Sequence, residues 1–81
     1  MKTVDHAHYA FVIDLSLPGF SPIYRYNRDR AMELVGLFLE EFESNGSTYE
    51  CVEIGEQGSL YAVYDESGDQ VDLSVTRISI L

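Results

Sequence analysis

A chain of 81 residues and 9.2 kDa allows one domain, with a folded surface of about 4,900 Å² against about 13,000 Å² unfolded. Its 46% apolar content points to a globular domain and away from a disordered tail, while fourteen acids against five Lys and Arg give a net charge of −9, which repels phosphates and argues against direct DNA or RNA binding. A single cysteine, Cys51, excludes an internal disulfide framework and fits a reducing, cytoplasmic compartment.

The first residues, Met1-Lys2-Thr3-Val4-Asp5, do not read as a signal peptide, and the first apolar stretch, Tyr9 to Leu17, is interrupted by Asp14 and Ser16. No window approaches the ~20 apolar residues that a membrane span requires. Residues 8 to 17 alternate, with Tyr9, Phe11, Ile13, Leu15 and Leu17 on one face, which predicts a strand. Pro18 and Gly19 end it, and Phe20 to Tyr26 reads as a loop in which Pro22 forbids regular pairing.

Asn27 is the expected N-cap of a helix from Arg28 to Ser44, with Asn45-Gly46 as its left-handed stop. Ala31, Leu34, Val35, Phe38, Leu39 and Phe42 recur at three- and four-residue spacing and form one broad stripe that must lie against a sheet. Thr48 to Ile54, Ser59 to Tyr64, and Val71 to Ile80 read as strands joined by short Gly- and Asp-containing turns, hence an antiparallel meander. In the last of these the apolar phase shifts after Val75, and a bulge near Arg77 would account for it. The predicted class is therefore α+β, β-α-β-β-β: a four-stranded, mostly antiparallel sheet with one helix packed on one face. The first strand is expected at an edge, paired in parallel with the second or fourth, because a helical crossover returns the chain parallel to its start. The uncovered face then stays wet or meets a second copy.

Chemistry-bearing residues are few. His6 and His8 share one side of an extended segment, but two imidazoles fall short of the three or four ligands of a stable zinc centre, so neither metal nor cofactor is expected. Cys51 lies between Glu50 and Glu53, whose charges oppose a thiolate, and reads as structural. Carboxylate pairs arise by chance in so acidic a chain, and a domain with one helix has little room for the cleft that raises a catalytic pKa. No nucleophile elbow, phosphate loop, dinucleotide fingerprint or EF-hand spacing occurs, so the expectation is a binding protein and not an enzyme.

Two surface features stand out. Asp29, Glu33, Glu40 and Glu43 follow a spacing that sets them along one solvent-facing helix ridge about 21 Å long. That is one charge per about 7 Å, roughly half the density of a DNA strand, so neighbouring acids must contribute before the surface acts as a DNA mimic. Glu40, Glu41 and Glu43 crowd the helix C-terminus, where the dipole disfavours them; ordinary solvation of an exposed helix end is the competing explanation. Arg25, Arg28 and Arg30, interleaved with Tyr24 and Tyr26, have the composition of an interface hot spot. They also fit arginines paired with Asp29 and Glu33 while the aromatics cover the open end of the core, and the same composition could stack single-stranded bases, which the overall charge opposes.

In size, charge and class, the chain resembles the small acidic inhibitors of the anti-CRISPR and anti-restriction type that phages and mobile elements encode. That resemblance implies a partner among nucleic-acid-handling proteins, whose basic site the acidic surface would occupy. The candidate partner-binding residues are Asp29, Glu33, Glu40, Glu43, Tyr24, Arg25 and Tyr26. The alternative expectation is a homodimeric structural or accessory subunit, using the open sheet face and the 20–26 loop.

Overall fold

The alternation of residues 9–15 produces a strand with Ile13 and Leu15 buried, and the caps around residues 28–44 produce a helix with the predicted ends. A computed structural model describes residues 9–79. In chain order the elements are β1 (Tyr9–Leu15), β2 (Ile23–Arg25), α1 (Arg28–Ser44), β3 (Thr48–Gly55), β4 (Gly58–Tyr64) and β5 (Gln70–Ser79). They form an α+β fold with one five-stranded sheet, ordered β2-β1-β5-β4-β3, and every neighbouring pair is antiparallel.

The fifth strand lies inside the segment expected to be a loop. Leu17-Pro18-Gly19-Phe20 has the residue pattern of a type II turn: the Phe20 N–H donates to the Leu17 carbonyl at 3.2 Å and Gly19 takes φ 83°. The chain therefore reverses, and Ile23–Arg25 pairs with β1 in the register Val12↔Tyr24. Pro22 does not prevent this pairing, because it sits just before the strand, where its missing N–H is not needed.

That reversal also corrects the placement of the first strand. β1 is interior, flanked by β2 and β5, and it pairs with β5 in antiparallel fashion. The helical crossover does return the chain parallel to its start, but its start is β2, so β2 and β3 run the same way at opposite edges. No bulge interrupts β5 near Arg77, since the β1–β5 register is unbroken from Leu15↔Leu73 to Tyr9↔Ser79. Instead, Ile78 turns to the face opposite the helix, beside Ala10, and Arg77 lies on the helix side with its guanidinium 4.4 Å above the Tyr9 ring. The register shift lies in β3, between Cys51 and Glu53.

Asn27 caps α1 through its side-chain oxygen, which accepts from the Arg30 N–H at 3.2 Å. At the other end, Ser47 N–H bonds the Phe42 carbonyl and Gly46 N–H bonds that of Glu43, which together make a Schellman closure. Gly46 is favoured there because its φ is 89°, a left-handed conformation that side-chain-bearing residues rarely adopt. Ala31, Val35 and Leu39 of the helix then pack on Ile13, Leu15, Tyr61, Val63, Leu73 and Val75 of the sheet. Each fully buried aliphatic side chain of this cluster contributes about 1.5–3 kcal/mol.

Candidate functional site

The side of α1 that leaves the core carries the predicted acids. At about 100° per residue, Asp29, Glu33, Glu40 and Glu43 fall within an arc of about 80°, and all four are exposed. Leu37, 58% exposed, sits beside them as an apolar member of the same surface.

The two halves of this ridge differ. Near its start, Glu33 shares a groove of about 210 Å³ with Arg25, Arg30, Leu34 and Leu37, so a carboxylate and two guanidiniums line one depression between β2 and the helix. About 10 Å further along lie Glu40 and Glu43, in a last turn that holds no basic residue. The unrelieved negative field is therefore concentrated at the helix C-terminus, where the dipole adds to it.

The Tyr/Arg cluster is divided by the strand it occupies. Tyr24 is paired with Val12 and faces away from the helix, Arg25 is paired with Phe11 and faces toward it, and Tyr26 lies beyond the strand. Both tyrosines are exposed. Arg25 and Arg28 direct guanidinium N–H groups to main-chain carbonyls: Arg25 Nη1 to Tyr24 at 2.9 Å, and Arg28 Nη2 to Gly55 at 3.2 Å. The second bond ties the start of α1 to the end of β3.

β3 is the long free edge, and all eight of its residues are exposed. The register sets Tyr49, Cys51 and Ile54 on the helix side and Thr48, Glu50 and Glu53 on the other, with Val52 at the bulge. Two side-chain contacts brace it, one on each face: Tyr49 meets Tyr61 edge-on with centroids 6.4 Å apart, and the Tyr64 hydroxyl donates to Glu50 Oε1 at 3.2 Å. At the hairpin end an open depression of about 420 Å³ includes Glu53, Gly58, Leu60, Ser74 and Thr76.

Two phenols are shifted upward. Tyr61 is raised mainly by burial, then by Cys51 and Tyr49; Tyr64 is raised mainly by its hydrogen bond to Glu50, which favours the protonated hydroxyl. Neither shift moves a group toward neutral pH. Among the described residues, no three His, Cys, Asp or Glu side chains gather as a metal site, and no helix is long and apolar enough to cross a membrane. His6 and His8 lie outside the described residues. Cys51 is exposed on the edge strand, its Sγ 3.8 Å from the Glu53 carbonyl.

The sequence leaves the edge position of β3 open, because the first strand could join either the second or the fourth; Glu50 and Glu53 inside a strand are the local signal that favours the edge. Comparison with protein-family models, curated proteins and solved structures finds no match to this chain.

Proposed function

We propose that this domain is a non-enzymatic binding protein whose acidic surface occupies a basic, nucleic-acid-binding site on a partner protein and so inhibits it. The observation that carries this reading is the exposure of Asp29, Glu33, Glu40 and Glu43 along the outer side of α1, opposite Ala31, Val35 and Leu39. Along the helix axis Asp29 and Glu33 are about 6 Å apart and Glu40 and Glu43 about 4.5 Å, within the Debye length of about 8 Å at physiological salt, while about 10 Å separates the two pairs, so a cationic surface meets them as two paired charges. Tyr24, Arg25 and Tyr26 flank the mixed end of the ridge and add aromatic contact area.

The test is competition: the domain is titrated against a nucleic-acid-handling protein with a cationic channel, while displacement of its DNA is read by fluorescence anisotropy. Displacement that weakens at least tenfold between low and physiological salt, and again on changing Glu33, Glu40 and Glu43 to lysine, supports the reading. Affinity indifferent to salt sinks it. A homodimeric accessory role is favoured by one observation, the exposure of Ile78 beside Ala10 on the helix-free sheet face. Sedimentation as a strict monomer removes that alternative.

A further inference from the structure

We infer that the free edge of β3 is a second docking surface, which takes up an extended, basic segment of a partner protein as a sixth strand. The inference goes beyond the helix ridge, because it uses a different surface and a different mode of recognition.

Among the described residues no strand pairs with the outer side of β3, so an edge of eight residues presents main-chain donors and acceptors in two runs, 48–51 and 53–55, on either side of the bulge at Val52. Edges of this length are ordinarily shortened, interrupted by proline, bulged, charged or covered. β3 has a bulge at Val52 and the charges of Glu50 and Glu53, which discourage indiscriminate pairing and select against an acidic strand, but no proline and no cover among the described residues. It is also held in place, by Arg28 at Gly55, by Tyr61 under Tyr49 and by the Tyr64 hydroxyl at Glu50. An edge fixed in advance loses little freedom on taking a partner.

The two faces of the edge specify the occupant. Tyr49 and Ile54, 39% and 63% exposed, offer apolar surface on the helix side, whereas Glu50 and Glu53 charge the opposite side. A strand laid alongside must therefore alternate apolar residues, which cover Tyr49 and Ile54, with cations that meet the two carboxylates.

A second copy of the chain does not fit this description. In an antiparallel self-pairing about a two-fold axis perpendicular to the sheet, like faces meet, so Glu50 and Glu53 of one copy lie on the same strip as those of the other. Like charges in cross-strand positions are destabilising, and each copy already carries a net charge of −9.

The probe is a synthetic eight-residue peptide of alternating lysine and valine, blocked at both ends and titrated while backbone amide exchange is followed by NMR. Slowed exchange confined to residues 48–55 is expected. The glutamate–valine counterpart should bind at least tenfold more weakly, and N-methylation of every second peptide amide should reduce binding at least tenfold. A Glu50→Lys, Glu53→Lys double variant, altered only at exposed positions, should invert the preference between the two peptides, whereas Glu40→Lys with Glu43→Lys should leave it unchanged within twofold. Loss of the ridge function with edge binding intact thus separates the two surfaces. Absence of lysine–valine binding, indifference to N-methylation, protection on α1 in place of β3, or a dimer protected along β3 would each overturn the inference.

Discussion

The two edges of the sheet are built on opposite plans. β2 is three residues long and preceded by a proline, yet Ile23 packs against the core; β3 is eight residues long, and none of its side chains is buried. One edge is short and anchored by a side chain, while the other is long and anchored by its ladder to β4 and a few polar or aromatic braces. Their charges differ as well, with Arg25 on the first and Glu50 and Glu53 on the second. Length of pairing and depth of burial are thus separate quantities: the shorter strand is the one that a side-chain truncation should hurt.

The ladder to β4 turns on Gly58, where any Cβ would collide with the Val75 carbonyl oxygen. Gly58→Ala should therefore cost about 1–3 kcal/mol, read as a lowered urea midpoint, and should loosen amide protection across β3 before it does so in β1. Equal loosening at both edges would break the contrast. Ile23→Ala should cost about 1–2 kcal/mol, below the ~2–5 kcal/mol of a fully buried aliphatic truncation because the site is only half-buried. Ile54→Lys, on the long edge, should change stability by no more than about 0.5 kcal/mol although it removes a larger exposed apolar group. If the order of these two reverses, β3 carries more of the fold than its exposure indicates.

The smallest effect is alkaline. Tyr61 and Tyr64 hold their protons to a higher pH in the folded chain than the ordinary value of 10.0, so above that value the folded state binds more protons than the unfolded one. Stability from this source is complete below pH 10 and is lost as pH rises through the folded values. Tyr64→Phe should flatten the fall of the thermal midpoint between about pH 9 and 11. An unchanged slope would show that the Tyr64–Glu50 bond does not hold the edge.

Local chemistry was legible in the sequence, and long-range arrangement was not. Asn27, Asn45 and Gly46 gave both ends of α1, and the alternation from Tyr9 to Leu15 gave β1 and its inward face, because each of these signals is complete within a few residues. β2 escaped because three residues between Pro22 and Tyr26 show no measurable period, and the reversal at Pro18-Gly19 was read as an end and not as a hairpin. Without β2 the crossover runs from β1 to β3, which demands a parallel pairing at an edge for β1 and a different order for the sheet. The phase change at Ile78 looked like a bulge because single-strand periodicity cannot tell an inserted residue from an apolar one on the far face. For the candidate site, helical spacing fixed the ridge of Asp29, Glu33, Glu40 and Glu43. The split of Tyr24 from Arg25 and the groove that brings Arg25 to Glu33 depend on tertiary contacts that no local pattern encodes.

Because β2 and β3 point the same way, a molecule shifted sideways without rotation would set its acidic border against the basic border of the next, and nothing in that geometry closes. Such a contact would repeat into an unending ribbon. The three-residue length of β2 and the proline before it leave too few hydrogen bonds to sustain that growth, so the smallest strand in the molecule also acts as its terminator.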